Sequence, residues 1–346
     1  MDDSQKPLIT PTTPSTITTM GCASSKPKAD ATTTIPRPHV TRAPTSTPVD
    51  AKDHLPPGAI LTGAARLRAM GLRGQGVKVA VIDSGIDAEH PGFDGKVVGK
   101  TWYREGTPLS EDDHGTHVAG TVHFLAPDAA LYDYRVFGAA GKLGVTAAIA
   151  QSIRDAVDKD GCHVINMSLG GPAPSPAIKE AVQYAHSKGV LLVCAAGNSG
   201  DDNILTNEIS WPASFPQCLS IAAVQKRHGL PVAVFSNSNA QVDYAGIGVD
   251  VVSLKPGGGY QTMSGTSMAC PHVCGLIAAI LSNGRIVNKG AATDRIVREA
   301  LNDAYVVDIG VEGRDNATGL GFLTALDESG FNKAMKEIGT SMAVVH

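Results

Sequence analysis

The sequence predicts an α/β protein built on a mostly parallel sheet. Three observations lead there. Short apolar runs alternate along the chain with segments in which apolar residues recur at i, i+3 and i+4. The composition combines 38 glycines with only 5% aromatic residues, which suits tight turns and closely approaching backbones. At 346 residues and 42% hydrophobic, the chain can also bury a substantial core.

The strand candidates are Val77 to Asp83, Ala130 to Val136, His163 to Ser168, Val190 to Ala195 and Cys218 to Val224. Thr146 to Asp158, Pro176 to Ser187 and Ala292 to Asp303 carry the helical spacing. Such alternation is what a parallel sheet with crossover helices produces. Residues 1–53 are rich in Thr, Pro and Ser and lack apolar periodicity, so a disordered tail is expected there. The folded domain is expected over 54–330, with 331–346 as a carboxyl-terminal tail or helix.

Composition also excludes some functions. Net charge is −4, and no Lys/Arg cluster could neutralise a run of phosphates, so nucleic acid is not an expected partner. The longest apolar runs fall well short of the roughly 20 residues that cross a bilayer. The first residues are polar and lack the apolar segment of a secretory signal, which points to a cytoplasmic setting. Six cysteines form no CxxC pair and are expected as reduced, buried thiols, although an even count also permits disulfides.

Asp83 closes the run VKVAVID, and so stands at the carboxyl end of a strand, where open α/β sheets place their sites. An aspartate there also serves as a turn former or cap. His114 and His117 lie three apart at the start of an apolar helical run, HGTHVAGT. That spacing could present two imidazoles to a metal, but the Glu of HExxH is absent and no third ligand suggests itself. Ser267 follows Gly265 and Thr266 at a helix start, where the dipole and backbone N–H groups favour a nucleophilic hydroxyl. It could equally be an N-cap.

Taken together, DSGID, HGTHVAGT, NMSLGG, AAGNSG and SGTSMACPHV resemble the signature blocks of the subtilisin family, in that family's Asp, His, Ser order. The resemblance runs from about Leu55 to Leu323. It implies a three-layer fold, with helices on both faces of the sheet, and a serine endopeptidase with the triad Asp83, His114 and Ser267. His117 is then structural. Asn198 matches the position whose amide donates to the oxyanion. Extended substrate would lie as a strand between Ser168, Leu169, Gly170 and Gly141, Lys142, Leu143, with Ala195, Ala196 and Gly197 facing the first specificity pocket. No Asp there matches the acidic pocket of kexin-like processing enzymes, although Glu208 lies close by in sequence, so apolar or uncharged P1 residues are expected. The alternative is a catalytically silent member used as a binding protein.

Two departures from the family matter. The segment after HGTHVAGT runs directly into ALYDYRV, so the calcium-binding loop of secreted relatives is missing and no cofactor is expected. Asp112 and Asp113 would tune His114 or be solvated. The polar tail is also unsuited to forming a folded prodomain. Within it, Met20 is followed by Gly21-Cys22-Ala-Ser-Ser-Lys, a pattern for lipid anchoring if translation starts at Met20.

Overall fold

The computed structural model describes residues 18–19, 55–106, 113–138, 140–141, 143–284, 290 and 292–343. The strands are β1 (Thr18–Thr19), β2 (Lys78–Asp83), β3 (Val97–Trp102), β4 (Ala130–Arg135), β5 (Val164–Met167), β6 (Leu169–Gly170), β7 (Leu191–Ala195), β8 (Cys218–Val224), β9 (Tyr244–Ile247), β10 (Val251–Leu254), β11 (Tyr260–Met263), β12 (Val306–Val307) and β13 (Phe322–Leu323). The helices are α1 (Pro57–Thr62), α2 (Ala64–Ala69), α3 (His114–Leu125), α4 (Val145–Asp158), α5 (Pro176–Ser187), α6 (Thr266–Leu281), α7 (Ala292–Ala304) and α8 (Glu328–Ala343).

Nine strands form one sheet in the order β12-β13-β9-β8-β7-β5-β2-β4-β3, parallel throughout except for β12. β5, β7 and β8 are buried along their whole length, so they read as continuous apolar runs rather than alternating ones. α4 and α5 cover one face, burying Ile149, Ile153, Ile178 and Val182. α3 and α6 cover the other with Val118, Val122, Val273 and Ile277, making a three-layer α/β fold.

Every residue of α3 and α6 is buried, which explains why both are apolar on all sides. They pack closely because Gly275 has no side chain. A Cβ there would sit 2.7 Å from Leu125 Cβ and 2.9 Å from the Val122 carbonyl. α5, half-exposed, starts with Ser175 Oγ accepting the Ile178 N–H at 3.4 Å and Pro176 in its first turn. α8 closes the domain by burying Ala334 and Ile338, with Phe331 against Phe322.

The sheet order reverses around β2. The chain runs from β2 to β3 and β4 on one side, then to β5, β7 and β8 on the other. Ligands in open α/β sheets bind at the carboxyl ends of the strands at such a switch point. Asp83 is the last residue of β2.

Of the tail, Thr18–Thr19 form β1, which pairs antiparallel with β6. The rest of 1–53 lies outside the described residues, including the Gly21 and Cys22 motif. The remaining five cysteines, Cys162, Cys194, Cys218, Cys270 and Cys274, are buried free thiols. No described helix is long and apolar enough to cross a membrane.

Candidate active site

Asp83 and His114 meet where the end of β2 faces the start of α3. β2 delivers the carboxylate and the first residue of α3 delivers the ring, with His114 Nδ1 2.8 Å from Asp83 Oδ1. Both are almost fully buried, at 1% and 5% exposure. The same Asp83 oxygen accepts the Ser84 N–H at 2.7 Å, and Ser84 Oγ accepts the Gly115 N–H at 3.0 Å. The turn after β2 is thus fastened to the start of α3 on either side of the Asp83–His114 bond. The Arg135 guanidinium donates to the Ser84 carbonyl from the next strand and holds the turn from outside.

His117 points elsewhere. It is fully buried, its Nε2 lies 3.0 Å from the Val251 carbonyl, and burial lowers its pKa to about 3. Among the described residues no His/Cys/Asp/Glu group could hold a metal ion. α3 and β4 are joined by residues 126–129 alone. Asp113 is exposed at the start of α3 and makes no capping bond, while Asp112 lies outside the described residues.

Ser267 is the second residue of α6, and its surroundings follow from one proline. Pro271 has no N–H, so the Ser267 carbonyl loses the i→i−4 bond that a helix would give it. Ser168 Oγ supplies the missing donor at 2.9 Å, and accepts from Asn166 Nδ2 at 3.0 Å. Ser267 Oγ in turn donates to the Ser168 carbonyl at 3.3 Å. The start of α6 is therefore tied to the end of β5, the strand beside β2.

Asn198 follows β7 and faces the same point. Its Oδ1 accepts from the Thr266 N–H at 2.9 Å and from Thr266 Oγ1 at 2.8 Å. Those bonds assign the oxygen and turn the amide nitrogen the other way. A Cβ on Gly265 would lie 3.3 Å from Asn198 Nδ2 and 3.7 Å from the Ser267 nitrogen. Two N–H donors thus flank one small space that glycine leaves open.

The expected substrate-binding residues divide. Ser168, Leu169 and Gly170 border the site, and β6 receives β1 as an antiparallel partner. Gly141 bridges Arg104, Leu143 packs against the α4–α5 core, and Lys142 lies outside the described residues. Ala195 and Ala196 are buried at the end of β7, and the Gly197 N–H donates to Thr266 Oγ1 at 3.2 Å. Glu208 is engaged by Ser238, whose N–H and Oγ lie 2.9 and 3.2 Å from its Oε2. Ser84 and Thr266 were not singled out from the sequence. Their adjacency to Asp83 and Ser267 was the available signal.

The α/β fold thus places an Asp–His pair at the switch point and ties the helix start that carries Ser267 to the neighbouring strand. The model of the subtilase family matches residues 74–343, and the chain belongs to that family. It is a subtilisin-type serine endopeptidase. It is 34% identical over 292 residues to the major intracellular serine protease of Bacillus subtilis (strain 168), covering 80% of this chain and 90% of the relative. To subtilisin DY of Bacillus licheniformis it is 39% identical over 259 residues, 72% and 92% of the two chains. The solved structure of sphericase superposes with a TM-score of 0.63 at 32% identity, covering 73% of this chain and 92% of the other.

Proposed function

We propose that this chain cleaves peptide bonds through an acyl-enzyme on Ser267, with His114 as base and then acid, and Asp83 orienting the imidazole. The observation that carries this reading is the buried 2.8 Å contact between His114 Nδ1 and Asp83 Oδ1. With Nδ1–H committed to the carboxylate, Nε2 is the nitrogen left to accept a proton. Ser267 Oγ attacks the scissile carbonyl carbon and gives its proton to Nε2. The imidazolium passes that proton to the leaving amine as the C–N bond breaks. Water then attacks the ester by the same route in reverse. Asn198 Nδ2 and the Ser267 N–H receive the oxyanion, a role supported by their convergence beside Gly265.

An extended substrate would add to β6 as a strand, the mode that β1 adopts. Apolar or uncharged P1 residues are favoured, a preference supported by Glu208 being engaged by Ser238. A peptide library cut mainly after Arg or Lys would overturn that preference. The names of two relatives, intracellular serine proteases of Bacillus subtilis and Paenibacillus polymyxa, support an intracellular setting here, as do five free buried thiols. Casein hydrolysis by the purified chain tests the reaction. Wild type should degrade it, and Ser267→Ala and His114→Ala should each lose at least about a thousandfold in rate. Undiminished hydrolysis by either variant would refute the assignment.

A further inference from the structure

We propose that Arg135 is a positioning residue of the active site, whose guanidinium fixes the turn that carries Asp83 and so sets the direction of that carboxylate. The proposal rests on the hydrolytic reading above. Arg135 ends β4 as Asp83 ends β2, and the two are register partners on neighbouring parallel strands. Partners in such a register point to the same face of the sheet. Just past them the Val136 N–H donates to the Asp83 carbonyl at 2.8 Å. An arginine at a strand end commonly carries its charge out to water. This one is 3% exposed and turns its guanidinium inward, onto the Ser84 carbonyl.

Glycines from three separate segments make room for it. A Cβ on Gly85 would lie 3.0 Å from Arg135 Nη1, one on Gly138 would lie 3.3 Å from Nη2, and one on Gly106 would press directly on Nη2. The Trp102 ring of β3 stands 5.4 Å from the guanidinium carbon, and Lys100 Nζ lies 3.5 Å from the same ring. Asp133, two residues back on β4, accepts the Trp102 indole N–H at 2.6 Å and is held toward its charged form by Lys100 and Arg135. Burying a guanidinium is costly, and the anions beside it on this face are Asp133 and Asp83 itself.

Ser84 is thereby held at three points. Its N–H is on Asp83 Oδ1, its Oγ takes the Gly115 N–H, and its carbonyl takes Arg135. The first two bonds lie within the unit formed by Asp83 and the start of α3. The third ties that unit to β4. Without it the Ser84 peptide can rotate, and the N–H that orients the carboxylate rotates with it. A displacement of about 1 Å is enough to cost a reaction two orders of magnitude. Since peptide would add at β6, on the other side of β2, the loss should fall on kcat and spare KM.

Arg135→Met keeps much of the apolar volume and removes the donors. On a peptide substrate its kcat should fall about 10 to 100-fold with KM within about threefold of wild type, and the far-downfield proton resonance of the His114–Asp83 bond should broaden or move. Arg135→Lys keeps a charge and a donor for the Ser84 carbonyl, and should recover kcat to within about threefold of wild type. Should Arg135→Met fail to fold, Gly106→Ala carries the test, because it leaves Arg135 and the triad in place and pushes a methyl group onto Nη2. It should lower kcat about fivefold or more at unchanged KM. A folded Arg135→Met with wild-type kcat, a loss confined to KM, an Arg135→Lys as slow as Arg135→Met, or, where Arg135→Met does not fold, a Gly106→Ala with unchanged kcat overturns this proposal and leaves the hydrolytic reading standing. A wild type that cleaves nothing overturns both.

Discussion

Lowering the pH from 7 to 5 should destabilise this fold, and three histidines set the size of the effect. His117, His123 and His272 are at most 8% exposed. Burial lowers their pKa values to about 3, 4 and 4, from an ordinary 6.5. For His123 the nearby Arg68 adds to that effect. A base with a depressed native pKa stays neutral in the fold while the unfolded chain takes up a proton, so stability falls as pH drops below 6.5. At pH 5 the difference is about 2 kcal/mol per histidine, about 6 kcal/mol for three.

Asp133 works the other way. Burial raises its pKa to about 6, so it takes up a proton first in the folded state and returns about 1.4 kcal/mol over the same interval. Asp128, Asp155, Glu208 and Asp327 have lowered values, so their contribution is lost mainly as pH falls through their ordinary 3.8 to 4.5 and below, under the window. The net loss from the three histidines and Asp133 is about 4 to 5 kcal/mol, a large share of a typical folding free energy, and His163, whose pKa burial also lowers, adds in the same direction. The assay is urea denaturation at pH 7, 6 and 5 in the Ser267→Ala background, which removes self-digestion. The unfolding free energy extrapolated to water should fall by about 4 to 5 kcal/mol between pH 7 and 5, and His123→Gln should remove about a third of the histidine slope. Stability that is flat or rises toward pH 5, or a His123→Gln variant with an unchanged slope, would refute the reasoning.

Asn198→Ala should lower kcat roughly 10² to 10³-fold with little change in KM, a magnitude established on subtilisin itself and carried over to this position; steady-state kinetics on a peptide substrate would show it. Ser168→Ala takes the donor from the buried Ser267 carbonyl, and should cost about 1 to 3 kcal/mol in urea denaturation while lowering kcat more than it raises KM. A chelator should shift Tm by less than about ten degrees, because a tightly held ion would stabilise by mass action and no such ion is expected here. A larger drop in differential scanning fluorimetry would overturn that expectation.

Long buried strands and capped amphipathic helices were legible in the sequence to within a residue or two. β2, β4, β5, β7 and β8 and α4, α5 and α7 fall where apolar runs and helical spacing place them. β3 was not visible because it is an edge strand of mixed burial, broken at Gly99, which accommodates the Tyr132 ring. β9 is four residues long with a glycine inside it, and β10 and β11 form a separate hairpin. α1 and α2 are six residues each, split by Gly63 in a left-handed conformation, too short to show a period. Pro57 after Pro56 was the available helix-start signal.

At the candidate site, Asp83, His114, Ser267 and Asn198 stand out in the sequence because each lies in its own glycine-rich block. The supporting bonds were not, since they join residues far apart in the chain. Ser168 reaches Ser267 across 99 positions and Thr266 reaches Asn198 across 68. Pro271, four residues after Ser267, was the one local sign that the Ser267 carbonyl needs a partner from outside its helix.

The central claim is that Ser267 is the nucleophile that Asp83 and His114 serve. Labelling the purified chain with a fluorophosphonate and mapping the adduct by peptide mass spectrometry tests it most directly. The adduct should fall on Ser267, and His114→Ala and Asp83→Asn should slow its formation by orders of magnitude without unfolding the protein. An adduct on another serine, or labelling of Ser267 at an undiminished rate in those variants, would contradict the account.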